Sequence, residues 1–176
     1  RDYLAIHWKE LADQYCDAAG VNLLVTHAFV MAKGGEVPPE PEDEKPINVG
    51  GAQSIYSENF PEQLQYVALG HLHRKQIVDQ RPCPIVYSSS VLAYSFAEAN
   101  QTKYVALINV LPGAPAEVDF LPLTKGKKLA KATFQDIDVA IEWLKAHEAD
   151  LVEVTIQTKD FLTVELKKAL NEVHPN

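Results

Sequence analysis

The sequence predicts a mixed α/β (α+β) protein. Three observations carry that expectation. Short apolar runs of strand length recur between residues 21 and 110, stretches after residue 118 alternate between strand-like and helix-like periods, and two of the apolar runs lead into histidine. The chain opens on an amphipathic helix, residues 2–19: Leu4, Trp8, Leu11 and Tyr15 form a stripe at helical spacing, Ala12 and Cys16 lie beside it, and Gly20 supplies a stop. Residues 21–26 then read as a fully buried strand, because nearly every position is apolar rather than every second one. His27 emerges at its carboxyl end.

Residues 34–61 hold prolines at 38, 39, 41, 46 and 61, the acids Glu40, Glu42, Asp43 and Glu44, and the pair Gly50 and Gly51. A connection this long is expected to be a functional or a mobile loop. Its Pro and Glu half is expected to be mobile and residues 47–60 to fold against the site. Strands follow at 65–69, 76–78, 84–87 and 104–110. The run Leu111, Pro112, Gly113, Ala114 and Pro115 breaks the chain strongly, which places a domain boundary there, between 1–112 and 113–176. Beyond it, 118–121 suits a strand, Asp136 caps a helix bearing Ile137, Ala140, Ile141 and Leu144, residues 152–156 alternate as a half-exposed strand, and Thr163 caps a helix bearing Leu166, Ala169, Leu170 and Val173. These elements make a small α+β module.

With 176 residues and 47% hydrophobic content the chain can bury a core. Two cysteines, Cys16 and Cys83, are too few for a disulfide-stapled secreted scaffold and favour a reducing cytoplasm. No cleavable signal is visible at the start, and the longest apolar run is shorter than the ~20 residues that cross a bilayer, so a cytoplasmic, non-membrane protein is expected. A net charge of -8 excludes nucleic-acid binding by bulk electrostatics. The imbalance is local, however: residues 121–176 carry 8 basic and 9 acidic side chains, and Lys125, Lys127, Lys128 and Lys131 crowd into one short stretch. That cluster, with Arg74 and Lys75, supplies candidate phosphate contacts, against the alternative of solvated turns.

The chemistry of the chain centres on Gly70, His71, Leu72 and His73, which follow the apolar run 66–69. In extended backbone, positions two apart face the same way, so both rings are expected on one spot, roughly 6–7 Å apart. Two polar rings at the exit of a buried strand cost free energy unless something binds them. Imidazole is a common neutral ligand for Zn, Mn and Fe, so His27, His71 and His73 are candidate metal ligands. Taken alone, His27 reads better as a hydrogen-bonded strand end. His7, His147 and His174 read as surface, Asp79 and Glu98 as surface or turn carboxylates, and Ser88 to Ser90 as a loop beside the site, since no nucleophile elbow surrounds them.

These motifs, in order, carry a resemblance. Leu24, Val25, Thr26, His27; then Val49, Gly50, Gly51; then residues 66–73; then Ile85, Val86, Tyr87, Ser88; then Ser95, Phe96, Ala97, Glu98 are similar to the second half of the SbcD family, the nuclease subunits of bacterial SbcCD complexes within the calcineurin-like metallophosphoesterases. The resemblance implies the second half of a metallophosphoesterase β-sandwich flanked by helices over 1–112, followed by part of a small α+β, DNA-binding capping domain over 113–176. It implies His27 and His71 on one metal and His73 on a second, with two Mn2+ in the complete protein. It also implies exonuclease and endonuclease action on DNA double-strand ends in repair, recombination and replication, with an SbcC-like ATPase subunit as partner. The family's D-x-H, G-D-x-x-D and G-N-H-D motifs do not occur here. The chain is therefore expected to be a fragment, inactive alone, with exposed strand edges prone to self-association as a homodimer. Ser89 stands where the family usually has glycine. Two other functions compete: a metallophosphoesterase acting on a nucleotide, phosphoprotein or other phosphodiester, and a non-catalytic binding domain with structural histidines.

Overall fold

The computed structural model of the chain describes residues 2–35, 54–159 and 161–175. The Pro and Glu-rich stretch and the Val49, Gly50, Gly51 segment lie outside the described residues, as do residues 47–53 of the segment 47–60 expected to fold against the site. The chain divides into two units, Arg1–Val91 with Thr102–Leu123, and Leu92–Gln101 with Thr124–Asn176. The later of the two compact units takes up the chain after Leu123. The reason is strand pairing: β7 (Tyr104–Asn109) and β8 (Glu117–Pro122) form a full antiparallel ladder, and the Pro-rich run between them is their connection.

The first unit opens on helix α1 (Asp2–Tyr15), after which the Asp17 carboxylate accepts from the Ala19 and Gly20 amides at 2.9 and 2.7 Å. The buried line of α1 is not the expected stripe. Ala12 is buried and Trp8 stacks on Phe60 with centroids 4.9 Å apart, while Leu4, Leu11 and Tyr15 are exposed. A sequence with apolar residues on both flanks of the helix satisfies either face, and tertiary packing chose the one bearing Trp8, whose area is the largest to bury.

Strands β1 (Leu23–His27), β4 (Tyr66–Gly70) and β6 (Ile85–Tyr87) run parallel, β5 (Gln76–Asp79) antiparallel to β6, in the order β1-β4-β6-β5. Two further short strands, β2 (Val30–Met31) and β3 (Ile55–Tyr56), pair with each other. One face of the sheet packs Val67, Leu69, Ile85 and Tyr87 with Phe29, Phe60 and Leu64, and Trp8 lies against that cluster. The other face packs Tyr66 and Val86 with Ala116, Ile108, Val118 and Phe120, so the β7–β8 ladder forms a second layer. This is the mixed α/β fold expected, with the two-sheet layering of part of a metallophosphoesterase sandwich.

Strand β1 departs from expectation. It stands at the edge of the sheet, and Leu23 and Val25 are 48% and 79% exposed. An apolar run shows that a strand can be covered on both faces, not that it is, and here β7 and β8 cover the face only over β4 and β6.

The second unit pairs β9 (Leu129–Phe134) with β10 (Leu151–Ile156), parallel and in register along their full length. Helix α2 (Ile137–Ala146) connects them. Asp136 caps it as expected, accepting from Asp138 and Val139 amides at 2.8 and 3.3 Å, and Ala140 and Leu144 are buried. Thr163 caps α3 (Val164–Val173) through the Leu166 amide at 3.3 Å. One expectation fails in this unit, the surface placement of His174, and Glu98 is a turn residue as expected but a buried one. His174 is buried, its Nε2 donating to the His147 carbonyl at 3.0 Å and so closing the end of α2 against the end of α3. Glu98, in the short 3-10 turn Phe96–Glu98, is also buried, and its Oε2 accepts from the Tyr94 amide at 3.3 Å.

Candidate metal centre

Parallel pairing of β1 with β4 sets His27 opposite Gly70, so the carboxyl ends of the two strands meet at one point. The fit is close. A Cβ added to Gly70 would stand 3.0 Å from His27 Nδ1, tighter than ordinary contact, so glycine is what lets the imidazole lie against the neighbouring backbone. The ring of His71, the next residue, faces that of His27 edge-on, with centroids 5.5 Å apart and planes at 76°. Phe29 meets His71 at 6.0 Å on a second edge.

The segment that follows His27 is latched from below the sheet's exit. Tyr87, fully buried on β6, donates its hydroxyl to the Ala28 carbonyl at 2.7 Å and accepts from the Val30 amide at 2.8 Å. Burial pushes the Tyr87 phenol up to about 12, against a small opposing effect of the Val30 hydrogen bond.

The reasoning that puts His71 and His73 on one face needs extended backbone, and the backbone is not extended there. β4 ends at Gly70, and His71 takes a left-handed φ of 114°. A non-glycine residue held at that φ costs roughly 1–3 kcal/mol, and such strain gathers at functional sites. Among the described residues no set of three or more His, Cys, Asp or Glu side chains is gathered to hold a metal ion, so His73 does not complete a triad with His27 and His71.

What fixes His73 is its main chain. Its carbonyl accepts from the Ser90 amide at 3.3 Å and from the ammonium of Lys103 at 3.0 Å. Lys103 is only 7% exposed. Sequence reasoning passes over it, because an isolated lysine before an apolar strand looks like a solvated boundary. Ser89 has φ 102°, in the left-handed region that favours glycine. Its hydroxyl oxygen accepts from the Tyr104 amide at 2.8 Å, which offsets that strain.

The candidate phosphate contacts divide in a similar way. Arg74 is exposed. Lys75 is exposed as well, yet its ammonium stands 4.1 Å from the Tyr104 ring centroid and 4.8 Å from that of Phe120. Lys125, Lys127 and Lys128 are exposed ahead of β9, whereas Lys131 pairs with Glu153 at 2.7 Å. Asp79 serves structure: it accepts from the Ser57 hydroxyl at 2.6 Å and from the Gln80 and Arg81 amides, and the Ser57 bond holds its carboxyl below the usual range.

A divalent ion tests the geometry of the pair. With nitrogen about 2.1 Å from an ion, each imidazole centroid lies roughly 3.2 Å from it, and two rings in tetrahedral array stand roughly 5 Å apart. The observed separation of 5.5 Å fits His27 and His71 on one ion. The Gly70→Ala variant tests how closely that fit depends on the glycine. The added methyl is expected to push the exposed His27 ring aside with little change in stability, within about 1 kcal/mol, and to weaken Zn2+ uptake, read by urea unfolding and calorimetric titration.

Two imidazoles delivered by the ends of adjacent parallel strands, one inside Gly-His-x-His, are the arrangement expected of part of a calcineurin-like metallophosphoesterase. No family model matches the chain. It is similar to the SbcD subunit of the nuclease SbcCD from Bacillus subtilis (strain 168), with 34% identity over 158 residues. The alignment covers 88% of this chain and 39% of that protein, so the chain spans well under half the length of this relative. The resemblance read from the motifs therefore extends over most of the chain. Among the described residues no helix is long and apolar enough to cross a membrane.

Proposed function

We propose that this chain forms part of a Mn2+-dependent exonuclease and endonuclease that hydrolyses phosphodiester bonds at DNA double-strand ends, working with an SbcC-like ATPase. The observation that carries the reading is the meeting of His27 and His71 across the β1–β4 register, with Gly70 making room for it. The similarity to a nuclease subunit supports the same class of chemistry. In this reading His27 and His71 hold one ion and His73 reaches a second. When bound, such a metal pair supplies an activated water and charge for the phosphoryl oxygens. The protein's part is to fix the rings, which the Tyr87 latch and the strained His71 backbone do. Arg74 and the exposed lysines Lys125, Lys127 and Lys128 then meet the DNA backbone.

Neutral imidazoles without an anionic bridge do not hold two cations about 4 Å apart, because the repulsion has no compensating charge. The 176-residue chain alone is therefore expected not to cleave DNA. The full-length gene product, incubated with linear duplex DNA and Mn2+, is expected to cleave it. Failure to do so above a metal-free control rejects the nuclease assignment.

A further inference from the structure

The segment from His71 to Lys75 has no regular structure between β4 and β5, yet it carries two of the three candidate ligands. We propose that Lys103 is a positioning residue for this segment, acting through the main-chain carbonyl of His73. The inference rests on the metal-centre reading above for its functional meaning, and on geometry for its substance.

An ammonium taken out of water is strongly destabilised unless its protons find acceptors. Lys103 is nevertheless buried, and the His73 carbonyl takes one of its protons at 3.0 Å. The same carbonyl accepts from the Ser90 amide at 3.3 Å, so both of its lone pairs are used and the peptide plane at His73 is set from two directions. Lys103 is itself anchored. Its carbonyl accepts from the Leu123 amide at 2.8 Å, and the adjacent Tyr104 bonds Ser89 Oγ through its amide at 2.8 Å. The Tyr104 ring also receives Lys75, two residues beyond His73. The start of β7 thus grips the histidine segment at its middle and at its end. A charged donor is suited to this, since its hydrogen bonds are about twice as strong as neutral ones.

Two measurements on the 176-residue chain test the proposal. In the unmodified protein, the 15N-labelled ammonium of Lys103 is expected to exchange slowly enough to be seen by NMR in water and to show cross-relaxation to His73. A Lys103 ammonium that exchanges like a surface lysine and shows no such contact overturns the proposal without any substitution. Lys103→Met keeps the length and removes the donor. It is expected to shift or broaden the amide signals of residues 71–75 and Ser90 while those of β4 and β6 stay in place, and to weaken Zn2+ binding about 10- to 100-fold. Lys103→Arg, which retains a donor, is expected to lie between Met and the parent. Unchanged signals at 71–75 in Lys103→Met count against the anchoring role. If anchoring is seen but the parent binds no Zn2+, the metal-centre reading fails and the anchoring stands.

Discussion

Replacing His71 by glycine in the full-length protein is expected to lower Mn2+-dependent DNA cleavage about a hundredfold or more while leaving the fold intact. Glycine is the informative choice. His71 sits at φ 114°, where an alanine would inherit the strain and a glycine relaxes it. The entropy that glycine adds to the unfolded chain opposes that relief, so stability should stay within about 1 kcal/mol of the parent. The loss of one nitrogen ligand removes several kcal/mol of charge stabilisation, and about 2.7 kcal/mol already amounts to a hundredfold in rate. In the 176-residue chain, the same substitution made together with His27→Ala should abolish Zn2+ uptake by calorimetry. Cleavage at the parental rate by the His71→Gly protein would show that the pair of rings is structural.

The second large effect is a loss of stability in alkali. Burial raises the Cys83 thiol from 9.0 to about 12, with a smaller contribution from nearby Glu62, and raises the Tyr87 phenol from 10.0 to about 12. Both groups are neutral in the fold and ionise more readily once unfolded. Their contribution is therefore complete below about pH 8, where neither ionises appreciably in the unfolded chain, and drains away as pH rises to 12. Three and two pKa steps correspond to roughly 4 and 3 kcal/mol, a large share of the 5–15 kcal/mol that holds a typical domain together. The urea midpoint is expected to be flat up to about pH 8, to begin to fall near pH 9 and to fall steeply above it. Cys83→Ala should make the fall above pH 9 shallower without abolishing it, because burial also raises the Tyr87 and Tyr66 phenols and the Cys16 thiol, which still titrate in this range. A midpoint that holds constant from pH 9 to 11 would contradict the burial of both groups.

Much of this architecture is legible in the sequence because it is written in local signals. Asp136 and Thr163 cap the helices that their positions predict, and the apolar runs at 66–70, 85–87 and 104–109 are strands within a residue or two. What escapes depends on partners distant along the chain. Strand β9 reads Leu-Ala-Lys-Ala-Thr-Phe, too weakly apolar to stand out, and is a strand because β10 pairs with it residue for residue. The exposed face of β1 and the rotation of α1 onto Trp8 are likewise decided by what covers them. At the site, spacing alone pairs His71 with His73, and it is the resemblance that puts His27 with His71, whose rings stand 5.5 Å apart. The period-of-two argument for His71 and His73 loses its footing, because it stops where the strand stops, and a left-handed residue follows Gly70 at once. Lys103 is invisible for the opposite reason, since its role lies in a main-chain acceptor thirty positions away, which no side-chain pattern encodes.

The pairing of β9 with β10 has a kinetic side. These two strands are joined through residues 135–150, whereas β1 must find β4 across residues 28–65, more than twice the distance along the chain. Closure probability for a flexible segment falls as about the three-halves power of its length, so the unfolded polypeptide encounters the β9–β10 arrangement about fourfold more often. The carboxyl-terminal unit thus begins its search with an advantage that owes nothing to the strength of its contacts and everything to the brevity of the tether.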